Sequence, residues 1–236
     1  MSKQKVALVT GASRGIGRTV AKGLAEQGYR VAALARTTQA LAELGQEIGD
    51  PDNFMAVECD VTNDSSVIAA VDCTTDKWDR VDVLFNNAGI LRLGTLDLAT
   101  DEFDTQLQTN LRAAWFVMKT VVPHMRKQGS GQVINLASRS GKFGFPGFGA
   151  YAASKFGLLG INEALMKELA PQGIKVTAIC PSWVNTDMAD QSGCSLPPVE
   201  MIQPDDILLT INWLLSLSPA ACVQDVVLFC RKTISA

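Results

Sequence analysis

Short apolar runs rich in β-branched residues alternate with longer stretches of helical periodicity along the whole chain. The runs predict strands over residues 6–10, 31–35, 55–59, 81–86, 132–137, 175–180 and 225–229. Val6-Ala7-Leu8-Val9 and Val31-Ala32-Ala33-Leu34-Ala35 are apolar at every position, as expected of parallel strands buried on both faces. Between the strands, the periodicity predicts helices over 15–27, 39–48, 65–77, 102–126, 150–170 and 204–217. This alternation predicts an α/β fold: a doubly wound parallel sheet of about seven strands with helices on both faces. No repeat, low-complexity tract or composition shift divides residues 1–236, which read as a single domain.

Composition narrows the function. Of 236 residues, 47% are apolar and 19% charged, which suits a buried core and excludes a disordered chain. A formal charge of −3 points away from nucleic acid and from anionic membrane surfaces. No apolar run approaches the roughly 18 residues of a membrane span, and the run at 6–9 is too short for a signal peptide. The six cysteines (Cys59, Cys73, Cys180, Cys194, Cys222, Cys230) form no CxxC pair and read as core fillers of a reduced, cytoplasmic protein. A single histidine excludes a metal site built on several of them, and a Ser-His-Asp hydrolase would need His124 at its centre. His124 instead follows Pro123 near the end of a long helix, where a solvated end-of-helix role is expected. Leu136-Ala137-Ser138-Arg139-Ser140 is no GxSxG elbow either.

In open parallel sheets, ligands bind outside the carboxyl ends of the strands, and the candidate chemistry collects there. Thr10-Gly11-Ala12-Ser13-Arg14-Gly15-Ile16-Gly17 joins the first strand to a helix. Its first glycine permits a tight turn, and the others let a pyrophosphate and the helix backbone come close to the free N–H groups of the helix start. About twenty residues on, an NAD enzyme usually carries an acid for the ribose 2′-hydroxyl. This chain has Ala35-Arg36-Thr37 instead, and Arg36 can bond a 2′-phosphate, with Arg14 as a second positive charge. Both arginines also suit solvated surface positions. The cofactor expected is NADPH/NADP+.

The TGxxxGxG spacing resembles the short-chain dehydrogenase/reductase family in its classical form. The resemblance continues through Asn86-Asn87-Ala88-Gly89, Asn110, Ser138, Tyr151-Ala152-Ala153-Ser154-Lys155 and Pro181-Ser182-Trp183-Val184-Asn185-Thr186, in the family's order, over residues 5 to about 190. It implies a Rossmann-like fold, with Gly11, Ser13, Arg14, Gly15, Ile16 and Gly17 around the cofactor phosphates and Arg36 and Thr37 at the adenosine ribose. It further implies Asp60 and Val61 at the adenine, and Asn87, Ala88 and Gly89 along the path past its ribose. Pro181, Val184 and Thr186 would hold the nicotinamide carboxamide. Ser138 would bind the substrate oxygen, and Asn110 would hold a water linking Lys155 to solvent.

The tyrosine and lysine also stand on their own chemistry. Reduction of a carbonyl needs a hydride donor, a proton donor and a group to steady the developing alkoxide. Tyr151 and Lys155 lie one helical turn apart on one face. A free phenol, with a pKa near 10, exchanges its proton poorly at neutral pH, and a nearby ammonium would stabilise the phenolate. Lys155 could also reach the nicotinamide ribose.

A substrate wall is expected from the glycine- and aromatic-rich loop 141–149 with Leu91, Leu93 and Trp183. Its positive charge is confined to Arg92, Arg139 and Lys142, which suits an apolar, aromatic or heteroaromatic carbonyl and not a highly anionic substrate. Three features depart from the family pattern: Ser182 stands where glycine is common, only residues 187–203 are available as a lid, and the tail lacks a Gly-Gly ending. The expected activity is NADPH-dependent reduction of a small-molecule ketone or aldehyde. A 3-oxoacyl-(acyl carrier protein) reductase is the alternative, against which Gln172 stands where such enzymes often carry arginine; a non-enzymatic NADP(H) sensor is another. The helix 102–126 has apolar residues on more than one face (Leu107, Trp115, Phe116, Val122), so a partner subunit is expected, giving a homodimer or homotetramer.

Overall fold

A computed structural model describes residues 4–234. Seven strands form one parallel sheet in the order β3-β2-β1-β4-β5-β6-β7. They are β1 (Val6–Thr10), β2 (Arg30–Ala35), β3 (Phe54–Glu58), β4 (Val83–Asn86), β5 (Gly131–Leu136), β6 (Ile174–Pro181) and β7 (Asp225–Leu228). The chain reverses its winding between β1 and β4, the crevice where such sheets bind ligands. Every predicted strand forms.

Both faces are covered, which explains the strands apolar at every position. Val6 and Leu8 pack into the core on one face, under α3 (Asp64–Trp78), α5 (Ala114–Gln128) and α6 (Gly149–Leu169). Ala7 and Val9 pack into the other core, under α1 (Gly15–Glu26), α2 (Thr38–Ile48) and α8 (Pro204–Ser216). Successive side chains of a strand point to opposite faces, so both parities must be apolar here.

Local chemistry sets several helix ends. The Asn63 side chain accepts the Ser66 N–H at the start of α3. At α8, Pro204 begins the helix, and Gln203 and Asp206 bond each other's backbone in a capping box. Gly49 and Gly129 close α2 and α5 in the left-handed conformation.

The predicted helix 102–126 differs from what forms. It divides into α4 (Thr100–Leu107), a π-helical segment Gln108–Ala113 and α5. Each π turn adds a residue, which apolar periodicity does not report; such segments recur at functional sites. Between β6 and α8 lie α7 (Asp187–Gln191) and a 3₁₀ turn Pro198–Glu200. All six cysteines are free thiols, but only Cys59, Cys180 and Cys230 are buried, so half of the expected core fillers are not core. Among the described residues, no helix is long and apolar enough to cross a membrane.

Candidate active site

The glycine turn leaves β1 through Gly11 at φ +67° and reaches α1 through Gly15 at φ +52°, both in the region that favours glycine. A Cβ on Gly17 would strike the Gly11 carbonyl and the Asn87 amide, so a third glycine is needed where α1 begins. The end of β4 is tied to this turn. Thr10 Oγ1 accepts the N–H groups of Asn87 (2.9 Å) and Ala88 (3.0 Å), and Asn87 Nδ2 donates to the Thr10 (2.8 Å) and Gly11 (3.2 Å) carbonyls. Thr10 is fully buried and has this structural task, which spacing alone did not assign. A narrow cradle with the N-terminus of α1 behind it suits a pyrophosphate.

At the end of β2, Arg36 and Thr37 are exposed, and the Arg36 charge reaches Asp60. Burial pushes the Asp60 carboxyl up, but bonds from the Thr62 N–H (2.9 Å) and hydroxyl (2.7 Å), with Arg36, outweigh it and hold the group below its usual value. Val61 is half-buried beside it. Arg14 Nη1 donates to Asp187 at 2.9 Å, with both side chains largely exposed. This pair bridges the glycine turn and the start of α7. A Cβ on Gly15 would meet the Thr186 methyl at 3.2 Å, so the two segments touch here.

A second group lies at the ends of β4, β5 and β6. Tyr151 and Lys155 project from the first turns of α6 and are both buried. The Ser138 side chain acts on the Tyr151 hydroxyl, and its Oγ accepts the Ser140 N–H at 3.1 Å. Lys155 Nζ donates to the Leu136 carbonyl at 2.8 Å and lies 5.7 Å from the centre of the Tyr151 ring. Burial pushes the Tyr151 phenol up to about 12, against the pull of the Ser138 side chain. Burial also pushes the Lys155 ammonium down to about 8, with Cys180 acting in the opposite direction. The expected depression of the phenol by Lys155 is absent from this balance; desolvation dominates both groups.

Asn110 sits inside the π-helical segment and is buried. Its Oδ1 accepts the Ile90 N–H (2.8 Å), and its Nδ2 donates to the Ile90 carbonyl (2.9 Å) and to Ser154 Oγ (3.1 Å). Ser154 in turn donates to the Tyr151 carbonyl at 2.7 Å. Asn110 thus braces the loop after β4 against α6. A Cβ on Gly89 would stand 3.2 Å from Asn110 Oδ1 and 3.7 Å from Lys155 Nζ, so Gly89 lets the two approach.

Ser138 and Tyr151 open onto a cavity of about 190 Å³. Ile16, Pro181, Val184 and Thr186 line it together with Leu91, Phe145, Phe148 and Trp183. The Phe148 and Trp183 rings meet edge to face at 6.0 Å. Several expected wall residues are elsewhere: Leu93, Phe143 and Pro146 are exposed outside the cavity. Ser182 lines the cavity and bonds Thr233 Oγ1 at 3.4 Å. Among the described residues, no group of histidine, cysteine or acidic side chains could hold a metal ion.

Fold and site together define a dinucleotide-dependent oxidoreductase. The family described as short chain dehydrogenase matches residues 5–195, and the chain belongs to that family, whose members use a nicotinamide cofactor. A 3-oxoacyl-[acyl-carrier-protein] reductase of Synechocystis sp. is 36% identical over 225 residues, 92% of this chain and 91% of that protein. A betaketoacyl-[ACP] reductase (FabG) from Bacteroides thetaiotaomicron is similar in structure, with a TM-score of 0.86 at 40% identity over 98% of this chain and 99% of that one. An actinorhodin polyketide ketoreductase, solved with NADPH, has a TM-score of 0.88 at 31% identity over 97% and 96% of the two chains.

Proposed function

We propose that this oxidoreductase reduces a ketone or aldehyde to the alcohol with NADPH. The observation that carries this reading is that Ser138 and Tyr151 face one largely apolar cavity, with buried Lys155 one helical turn from Tyr151. The cofactor, when bound, supplies the hydride. Gly11, Ser13, Gly15, Ile16 and Gly17 would hold its pyrophosphate, Arg36 with Thr37 its 2′-phosphate, and Asp60 and Val61 its adenine. Asn87, Ala88 and Gly89 would line its path, and Pro181, Val184 and Thr186 its carboxamide. Ser138 steadies the substrate oxygen, and Tyr151 gives that oxygen its proton as the alcohol forms. Lys155 orients the nicotinamide ribose, and its positive charge favours the phenolate left on Tyr151. Asn110 keeps Lys155 and the Ile90 loop in register.

A second substrate class has specific support: relatives named 3-oxoacyl-[acyl-carrier-protein] reductase match over nine-tenths of this chain. Both readings share the reaction. Against a carrier stands Gln172, whose amide donates to the Glu168 carbonyl at 2.9 Å and adds no cation to that surface. NADPH oxidation is measured with small ketones, aldehydes and a 3-oxoacyl thioester, on the free carrier and on its pantetheine mimic. At least one carbonyl class is expected to turn over, with a kcat/KM at least tenfold higher with NADPH than with NADH. No turnover in any class would overturn the reading in favour of a cofactor sensor.

The functional unit is proposed to be a homo-oligomer. Trp115 on α5 and Phe156 on α6 are 40% and 47% exposed on neighbouring helices, an apolar face that association would cover. Light scattering at micromolar concentration is expected to give twice or four times the mass of 25.3 kDa. The double variant Trp115→Glu/Phe156→Glu is expected to be monomeric; a monomeric wild type would refute the assignment. Six free thiols suit a reducing, cytoplasmic setting.

A further inference from the structure

Three cations flank the substrate loop, and the fold treats them differently. Lys142 pairs with Asp225 at 2.8 Å, and Arg92 with Glu102 at 3.7 Å. Arg139 has no carboxylate partner among the described residues. Among the described residues, it is also the one charged residue in the cavity wall. It directly follows Ser138 in the chain, and both residues line the cavity.

The side chain is held in place. Its guanidinium carbon lies 4.6 Å from the Phe145 ring centre and 5.7 Å from that of Phe229. Nη1 donates to the Thr233 carbonyl at 3.2 Å, the sole hydrogen bond of that side chain among the described residues. Aromatic faces and one carbonyl fix a planar cation without neutralising it. The remaining N–H donors form a fork suited to a carboxylate. The other wall residues are uncharged, so the charge acts through a poorly screening medium.

We propose that Arg139 is a specificity-determining residue that binds a carboxylate on the substrate. This rests on the reductase reading above and narrows it: the substrate is an oxo acid with an apolar body and a single anionic end. The apolar wall seats the body, Ser138 and Tyr151 receive the carbonyl oxygen, and Arg139 receives the carboxylate. A single anionic group agrees with a site that offers, among the described residues, one free cation and no second one for a polyanion.

The test uses 2-oxo, 4-oxo and 5-oxo acids, aliphatic and aryl, each paired with its methyl ester. The readout is the ratio of kcat/KM for acid over ester. For the wild type, at least one pair is expected to favour the acid, by roughly 10- to 100-fold, the range of a charge-assisted bond. Arg139→Gln is expected to bring that ratio to about one, and Arg139→Lys to keep part of it, since charge remains but the fork is lost. Melting curves establish that both variants are folded, and Arg139→Lys serves if Arg139→Gln is not. A wild-type ratio near one for every pair, with esters turned over, would overturn the carboxylate assignment and leave the reductase reading intact. A ratio unchanged in folded Arg139→Gln would also overturn it. Turnover of neither acids, esters nor any other carbonyl would sink the reductase reading, and this inference with it.

Discussion

The two ends of the cleft are built of different material. At the glycine-turn end, strand termini bond one another directly: Thr10 fixes Asn87 and Ala88, and Asn87 returns two bonds to the turn. At the cavity end, loop side chains supply the wall, as with Phe145, Phe148 and Trp183, held by ring contacts and apolar packing. Backbone and amide bonds demand particular residues at fixed places, whereas an apolar wall accepts many side chains of similar volume. One end therefore suits a constant ligand and the other a variable one. This is how one fold serves many substrates.

Two experiments would break or sharpen the contrast. The larger effect is expected from Arg36→Asp, which replaces the cation proposed for the 2′-phosphate with an acid. The ratio of kcat/KM for NADPH over NADH should fall roughly 100-fold, comparable to losing one charge-assisted bond and adding repulsion. The acid-to-ester preference should not move. An unchanged cofactor ratio would show that the β2 end does not select the cofactor.

A smaller effect, on the order of tenfold per pH unit, is expected from titrating Lys155. Its ammonium is pushed down to about 8 while the Tyr151 phenol is pushed up to about 12, so Lys155 loses its proton first as pH rises. Reductive kcat should fall above about pH 8, whereas a profile flat to pH 10 would contradict the assignment. Stability should move the other way. Between about 8 and the ordinary lysine value of about 10.4, the unfolded chain binds more protons than the folded one, so this group's contribution to stability rises with pH. Melting temperatures of Lys155→Met, referred to wild type, should lack that rise. A rise of the same size in both proteins would assign it to other groups.

Much of the glycine-turn end was legible in the sequence because its residues are local. Gly11 lies in the turn after β1 and Gly15 and Gly17 in the first turn of α1, and Tyr151 and Lys155 lie one turn apart on α6. The strands were legible because burial on both faces leaves an unbroken apolar run. What escaped detection depends on distant parts of the chain. Arg14, expected to serve the cofactor, meets Asp187, 173 residues away. Spacing brought Lys155 near Tyr151 but said nothing of the dielectric around them, and burial reverses the expected shift of the phenol. The π-helical turn around Asn110 was invisible because apolar spacing does not report one added residue in a helical turn. Likewise, Arg92, Arg139 and Lys142 look alike in sequence, and only folding shows which two are neutralised.

The central claim is that Tyr151 gives the proton at a site whose binding surfaces lie elsewhere. Tyr151→Phe removes one hydroxyl and keeps the ring that lines the cavity. Single-turnover oxidation of bound NADPH by a saturating carbonyl substrate tests the claim most directly. The account predicts NADPH affinity within about threefold of wild type, and a hydride-transfer rate lowered roughly 10²- to 10⁴-fold, the usual contribution of a positioned general acid. A rate within tenfold of wild type, in a folded variant that binds NADPH normally, would contradict it.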